Sequence, residues 1–220
     1  MLDSMVTFDG VTRRFPPDVT AVDEVTLRVR PGDRIALQGV SGSGKSSLLA
    51  LMVGLDRPNA GTIAWPGLEK GPLRPGQIGI AFQSACLLPS LNLAENLALP
   101  WLIARYAGDP GRAVAEALDL VGLGEMADRL PSELSGGQAL RAGVARALVT
   151  RPRLVVADEP TGQLDGETGR ALIGALLAWA EANGSALIVA THDAAVAARM
   201  DRHWQMSFGR LTEVLAGEVA

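Results

Sequence analysis

Short apolar runs alternate with longer amphipathic segments along most of this chain. Alternation with a period of two, or a short continuous apolar run, predicts a strand, whereas apolar residues three and four positions apart predict a helix. By these criteria the strands are residues 6–8, 25–29, 34–38, 61–65, 78–82, 154–157, 186–190 and 204–208, and the helices are residues 46–54, 135–150, 166–182 and 193–200. Strands that alternate with helices predict an α/β fold, with a mostly parallel, doubly wound sheet between helices.

The stretch that precedes the predicted helix 135–150 has a purely helical pattern. Residues 93–123 are rich in alanine and leucine, and we expect breaks at Pro100 and at residues 108–111, where glycine and proline cluster. We therefore predict one domain over residues 1–220, with a core formed by residues 1–83 and 134–220 and a helical subdomain at residues 84–133.

Composition and charge narrow the class of protein. Apolar residues make up 48% of the chain, which suits a packed core. The longest apolar stretches are about half as long as a membrane-spanning helix, and the N-terminus lacks the pattern of a signal peptide. The net charge of −4, with scattered arginines, disfavours nucleic-acid binding. The single cysteine, Cys86, cannot form an internal disulfide, so we expect a reducing, cytosolic setting and a buried, inert thiol.

A glycine-rich turn between a predicted strand and a predicted helix carries the clearest chemical signal. Residues 39–46 match the pattern G-x-x-x-x-G-K-[ST] at every fixed position. Glycines allow the backbone to curl so that its N–H groups converge on phosphate oxygens, and the following helix points its positive end at the same place. An ordinary serine-capped turn is the alternative, and the strand–turn–helix context favours the phosphate site. The predicted phosphate-binding residues are Gly39, Ser41, Gly42, Gly44, Lys45, Ser46 and Ser47.

Two carboxylates, Asp158 and Glu159, follow the predicted buried strand 154–157. Ligands of open α/β sheets bind beyond the carboxyl ends of the strands, so this pair is expected beside the phosphate-binding turn. There Asp158 can hold Mg²⁺ and Glu159 can act as the general base toward water. Two solvated acids at a strand end are the alternative, and the complete phosphate-binding turn upstream favours the catalytic interpretation.

A second glycine-rich helix start lies at residues 134–138, which read Leu-Ser-Gly-Gly-Gln. Ser135 can cap this helix, and the exposed amides can bind an anion. One chain then has two phosphate-binding helix starts, which is most simply explained if each contributes to a site shared by two subunits. A plain helix cap without a ligand is the alternative.

Residues 134–138 also match the LSGGQ signature of ATP-binding cassette (ABC) ATPases, and further matches follow in the family's order. Phe15 resembles the aromatic residue that stacks on adenine, although a core phenylalanine is the alternative. Gln83 is similar to the Q-loop glutamine, Asp165 to the aspartate of the D-loop, and His192 to the switch histidine. The resemblance implies a P-loop NTPase core with a mostly parallel sheet, an N-terminal antiparallel β region and a helical subdomain insertion.

At a finer level, residues 159–165 and 82–100 resemble the lipoprotein-releasing, macrolide-exporting and cell-division ATPases. The chain departs from that group at Gln163, where asparagine is usual, and at Ala139 and Leu140, where glutamines are common. Its connection at residues 66–77 is also shorter and richer in proline.

The resemblance implies a specific mechanism. Two subunits are expected to close head to tail around two Mg-ATP, so that Ser135, Gly137 and Gln138 of one complete the site of the other, with Asp165 at the junction. The implied metal ligands are Ser46, Gln83 and Asp158, and the implied catalytic residues are Lys45, Glu159 and His192.

The resemblance also implies partners and a location. The partners are a second ATPase subunit and a separately encoded transmembrane permease that docks near residues 84–99, with no nucleic acid and no direct insertion into the bilayer. The location is peripheral, at the cytoplasmic face of the cell membrane. A soluble ABC ATPase, for example of the iron–sulfur cluster assembly type, is the main alternative. A GTPase or small-molecule kinase is disfavoured, because a guanine-reading motif is missing and such enzymes have no use for residues 134–138.

Overall fold

A central sheet of six strands organises the protein. The structure, a computed structural model, describes residues 4–68 and 76–214. Part of the predicted connection 66–77 therefore lies outside the described residues. The described strands are β1 (Val6–Phe15), β2 (Val19–Val29), β3 (Arg34–Gln38), β4 (Ala60–Ala64), β5 (Ile78–Ala81), β6 (Leu154–Asp158), β7 (Ala186–Ala190), β8 (Arg202–Ser207) and β9 (Arg210–Val214). The described α-helices are α1 (Lys45–Met52), α2 (Leu93–Ile103), α3 (Gly111–Leu120), α4 (Gly136–Leu148), α5 (Gly166–Asn183) and α6 (Ala194–Ala197).

The central sheet has the strand order β5-β6-β7-β3-β8-β9, and only β9 pairs in the antiparallel sense. β7 is buried at every position, and β6 at all but its last. A parallel strand covered on both faces reads as a continuous apolar run because neither side meets water. The prediction of an α/β fold with a mostly parallel sheet is confirmed.

A second sheet, in the order β2-β1-β4, is antiparallel and confirms the predicted N-terminal β region. Its strands are longer than predicted, since β1 extends to Phe15 and β2 begins at Val19. β1 contains register shifts, which break the alternation of buried and exposed residues that would reveal a strand. The edge strand β9 was missed for a related reason, because none of its residues is buried.

The segment between β5 and α4 contains no strand among its described residues, in line with the predicted helical insertion. Its helices α2 and α3 are separated where residues 108–111 predicted a break, but the break predicted at Pro100 is wrong. α2 continues through Pro100 to Ile103, and Ala104 N donates to Pro100 O at 2.9 Å. A proline loses its own N–H and its ring crowds the carbonyl four residues before it, but the residues that follow can keep their helical bonds.

Apolar side chains fill the two faces of the central sheet. Along β3, Ile35 and Leu37 pack with α1 and the antiparallel sheet, whereas Ala36 packs with α2 to α6 on the other face. Within residues 4–68 and 76–214, no helix is long and apolar enough to cross a membrane. The sheet therefore holds its carboxyl-end loops between two packed layers, and those loops carry the predicted site residues.

Candidate functional site

The turn between β3 and α1 has the backbone that a phosphate-binding loop requires. Gly39 and Gly44 have φ values of 150° and 107°, which residues with side chains rarely adopt. A Cβ at Gly39 would also collide with Met206 O, and one at Gly44 with Ala21 O. Gly44 begins α1 without a side-chain cap. The first amides of α1 are therefore left for a ligand, and the positive end of the helix favours an anion.

The Lys45 ammonium lies folded over this turn. Lys45 Nζ donates to Gly39 O at 2.6 Å and to Val40 O at 3.2 Å. Among the described residues, no carboxylate forms an ion pair with it. A cation bound only by neutral carbonyls can exchange them for a negatively charged oxygen, which makes a stronger hydrogen bond.

The hydroxyl of Ser46 and the carboxylate of Asp158 meet beside this turn, as the positions of their elements predicted. Ser46 Oγ donates to Asp158 Oδ2 at 2.7 Å, which joins the start of α1 to the end of β6. Gln83 follows β5, the strand next to β6, and lines the same cleft. Hydroxyl, carboxylate and amide oxygens are hard ligands that suit Mg²⁺. No group of three His, Cys, Asp or Glu side chains in the described chain could hold a metal ion.

Glu159 is held in a strained conformation next to His192. Its φ is 49°, an unusual value for a residue with a side chain, and such strain concentrates at functional sites. The Glu159 side chain is only 14% exposed, and its Oε2 accepts no hydrogen bond from the described residues. His192 Nδ1 lies 3.0 Å from this oxygen, at an angle that does not make a hydrogen bond, and His192 is 76% exposed. Glu159 therefore has a buried carboxylate oxygen that lies beside His192 and accepts no hydrogen bond within the described chain.

These side chains line one cleft of about 600 Å³. Phe15, Val19 and Ala21 line the same cleft. Phe15 is 36% exposed, so the alternative of a core phenylalanine is wrong. The Arg13 guanidinium carbon lies 4.3 Å from the Phe15 ring centroid and covers one face of the ring. The predicted residues in the cleft are Phe15, Gly39, Ser41, Gly42, Gly44, Lys45, Ser46, Ser47, Gln83, Asp158, Glu159 and His192.

The signature residues do not line this cleft. Ser135 caps α4: its Oγ accepts from Gln138 N at 3.2 Å, and the Gln138 side chain accepts from Ser135 N at 2.8 Å. Ser135 is exposed, and a Cβ at Gly137 would lie 2.9 Å from Leu164 Cδ2. The signature therefore packs against Leu164 of its own chain, the residue before Asp165, and leaves Ser135 facing outward.

Asp165 also lies outside the cleft, where it caps α5. Its Oδ1 accepts from Thr168 N at 2.9 Å and from Glu167 N at 3.0 Å, and its Oδ2 accepts from Thr168 Oγ1 at 2.7 Å. These bonds, first of all the one from the Thr168 backbone, lower the pKa of the Asp165 carboxyl. Asp165 therefore remains ionised and stabilises the start of α5.

Two features of the site differ from the prediction. Cys86 is exposed rather than buried, because the loop after Gln83 crosses the surface and turns at Cys86 with a φ of 48°.

Three residues, Gly162, Val19 and Ala21, line the cleft but were not predicted. Gly162 lies inside the motif that supplied Glu159 and Asp165, which was a usable signal. The other two belong to the part of β2 that showed no strand pattern.

Comparisons with known proteins agree with this geometry. A family model described as ABC transporter matches residues 22–162. The lipoprotein-releasing system ATP-binding protein LolD of Bordetella pertussis is 40% identical over 205 residues, 89% of each chain. LolD of Hydrogenovibrio crunogenus is 43% identical over 192 residues, which cover 83% of this chain and 84% of that protein.

Solved structures are similar over nearly the whole length. The ATP-binding cassette MJ0796, in a dimeric post-hydrolysis state bound to ADP and Pi, superposes with a TM-score of 0.89 at 31% identity, covering 98% of this chain and 100% of that one. A second dimeric structure of MJ0796, described as a bacterial ABC transporter cassette, has a TM-score of 0.87 at 32% identity, covering 95% and 98%. The chain therefore belongs to the ABC transporter family, as one of its ATPase cassettes.

Proposed function

We propose that two copies of this chain bind and hydrolyse two Mg-ATP between them, and that this cycle energises a separate membrane permease. One observation supports the proposal above the others. The cleft of a single chain contains a phosphate-binding turn, the Ser46–Asp158 pair and the Glu159 carboxylate beside His192, whereas the second anion-binding helix start faces outward elsewhere. A second protomer can bring its own signature to the open side of the cleft.

The nucleotide is bound from its base to its terminal phosphate by residues at the cleft. Phe15 stacks on adenine with the ring face that Arg13 leaves uncovered. The amides of residues 39–47 surround the phosphates, and Lys45 leaves its two carbonyl partners to bind the β- and γ-phosphates.

Magnesium fits beside the phosphates. Ser46 and Asp158 would hold the ion, with Gln83 as a further ligand, and the Ser46 hydroxyl would turn from Asp158 toward the metal. When bound, Mg²⁺ neutralises charge on the β- and γ-phosphate oxygens.

Hydrolysis is carried by Glu159 Oε2, which accepts no hydrogen bond within the described chain. This oxygen accepts a proton of the attacking water and orients it in line with the bond to the leaving group. The His192 side chain, 3.0 Å away and largely exposed, turns toward the γ-phosphate, where it donates a hydrogen bond together with Lys45.

The partner protomer completes each site. Ser135, Gly137 and Gln138 of one copy would contact the γ-phosphate held by the other copy, and Asp165 would lie at the junction. The dimeric MJ0796 structures support this arrangement, because that cassette is a dimer in a state bound to ADP and Pi.

The permease would dock at residues 84–99. Leu88 in this segment is 47% exposed, and the segment begins next to Gln83 in the nucleotide cleft. Relatives about 40% identical are named ATP-binding proteins of lipoprotein-releasing systems, which favours a transport role at the cytoplasmic face of the membrane over the soluble alternative.

The decisive variant is Glu159→Gln. It keeps the shape of the side chain but cannot accept the proton of water, so we expect kcat to fall about 10²- to 10⁴-fold. Because ATP still binds, the variant should accumulate as a dimer in Mg-ATP, measured by size-exclusion chromatography with light scattering. A protein that stays monomeric with ATP, or hydrolyses it at the normal rate, contradicts the proposal.

A further inference from the structure

We propose that Arg146 is a positioning residue that fastens the loop after Gln83 to the signature helix α4, so that the nucleotide contact of one site and the signature of the other move as one unit. The inference rests on the proposed function, because it assumes that Gln83 and Ser135 act on different nucleotides of a dimer. It assigns a role to a residue that lies outside the cleft.

The contact itself is bidentate. Arg146 Nη1 donates to Cys86 O at 2.6 Å, and Arg146 Nη2 donates to Ala85 O at 2.9 Å. A guanidinium is planar and rigid, so two parallel hydrogen bonds fix the orientation of both peptide groups as well as their distance. Ala85 lies only two residues after Gln83.

The charge of Arg146 has no counter-ion among the described residues. Its side chain is half-buried, and burial lowers the pKa of the guanidinium. Burying an unpaired cation is unfavourable unless it is hydrogen-bonded, and here two loop carbonyls accept hydrogen bonds from Arg146. A role in surface solubility does not explain this arrangement, whereas a role in holding the loop does.

The loop after Gln83 also packs closely against α4. One turn before Arg146, a Cβ at Gly143 would lie 3.1 Å from Ala85 Cα and 3.3 Å from Ala85 O. Cys86 turns with a φ of 48°, a conformation that persists only where the surroundings enforce it. Close packing at Gly143 and the two bonds from Arg146 supply that enforcement.

α4 connects this contact to the signature. Ser135 caps the first turn of the helix and Arg146 lies in its last turn, about 16 Å away at 1.5 Å per residue. A straight helix of this length moves as a rigid rod, so a displacement of the loop after Gln83 is carried to Ser135. The partner's γ-phosphate, which Ser135 would contact, is thereby coupled to the nucleotide beside Gln83.

The test compares Arg146→Met with Arg141→Met in the Glu159→Gln background. Arg141 lies on the same helix and also binds a backbone carbonyl, but its Nη1 donates to Val121 O, at the end of α3, at 2.7 Å. Three quantities are measured for each variant: the melting temperature, the Kd of the monomer for ATP without Mg²⁺, and the Mg-ATP concentration that drives half of the protein into dimers.

Arg146→Met should raise the ATP concentration needed for dimerisation about 2- to 30-fold, the range typical of coupling residues. The Kd of the monomer for ATP should stay unchanged, because residues 39–47 are not touched. Arg146→Lys, which keeps the charge but cannot bind two carbonyls in a fixed plane, should show a smaller shift in the same direction. Arg141→Met should dimerise like its parent.

Three results would overturn the inference. One is dimerisation of Arg146→Met at the concentration its parent needs. Another is an equal shift for Arg141→Met and Arg146→Met. The third is a fall in melting temperature and in monomer affinity for Arg146→Met and Arg146→Lys alike, which would mean a purely structural role. If the Glu159→Gln parent itself fails to dimerise, the proposed function fails and takes this inference with it, so the two failures are distinguishable.

Discussion

Two glycine-rich helix starts in this chain look alike in sequence and differ in what surrounds them. The turn before α1 lies inside the cleft, its helix has no side-chain cap, and the Lys45 ammonium is hydrogen-bonded to two carbonyls of the turn. The signature before α4 is capped by its own Ser135 and Gln138 and lies outside that cleft. The first has the Lys45 ammonium and the Ser46–Asp158 pair beside it in a cleft, whereas the second lies on the surface.

The difference explains why both are needed. A helix start that is already capped and open to water gains little by binding an anion alone, because water competes for its donors. When the same donors close over a phosphate that another protomer holds, they are desolvated together with a large negative charge, which strengthens each bond. The signature therefore contributes to a site only in a dimer, and a substitution there should affect the partner's nucleotide rather than its own.

Among substitutions that compare the two helix starts, the largest effect is expected from Ser135→Arg. The bulky side chain removes a donor from the partner's site and blocks its approach, so kcat should fall about 10²- to 10³-fold. ATP affinity of the monomer should not change, because the cleft is intact. Steady-state hydrolysis and ATP titration of the monomer check both parts.

Mixing this variant with Lys45→Ala sharpens the comparison. In a mixed dimer, one site combines both defects, and the other has an intact turn and an intact signature. An equimolar mixture should regain activity up to about a quarter of wild type, since half of the dimers are mixed and each has one good site. A mixture no more active than the average of its parents would contradict the reciprocal arrangement.

Lys45→Ala alone should act on its own protomer's nucleotide. Loss of charge-assisted hydrogen bonds to phosphate costs about 1.5–3 kcal/mol, so the Kd of the monomer for ATP should rise about 10- to 100-fold. Calorimetric titration measures the change. Arg57→Ala, which removes an exposed cation that does not line the cleft, serves as the control and should bind ATP normally.

The smallest effect is expected at the rim of the cleft. Phe15→Ala removes the stacking surface for adenine, which costs about 1–2 kcal/mol and should raise the Kd for ATP about tenfold. Phe208→Ala is the matched control, because Phe208 is 91% exposed and does not line the cleft. The wild type, Phe15→Ala and Phe208→Ala should bind inorganic tripolyphosphate equally. This result would confirm that the lost affinity for ATP concerns the base. A Phe15→Ala variant with unchanged ATP affinity would refute the stacking role.

The sequence predicted best what depends on local spacing. The turn at residues 39–46 and the acids after β6 need only a few adjacent residues, and the buried strands β6 and β7 are continuous apolar runs. Their convergence in one cleft followed from the rule that parallel strands present their carboxyl ends at one edge.

What the sequence did not predict depends on contacts between distant segments. Cys86 is exposed on a loop that Arg146 of α4 holds by a hydrogen bond to Cys86 O. Nothing near Cys86 in the sequence indicates this contact. Pro100 was expected to end α2, but the preference of a single residue was outweighed by the packing of a buried helix face that includes Leu93 and Leu97. The contact of Arg146 with Ala85 joins residues 61 positions apart and has no local pattern.

The most direct test of the central claim is a structure of the Glu159→Gln variant with Mg-ATP. We predict a dimer in which each γ-phosphate lies between Lys45 of one protomer and Ser135 of the other, with the Ser135 hydroxyl within hydrogen-bond distance. A structure in which one chain encloses the whole nucleotide, while Ser135 faces bulk solvent in every assembly, would contradict the account.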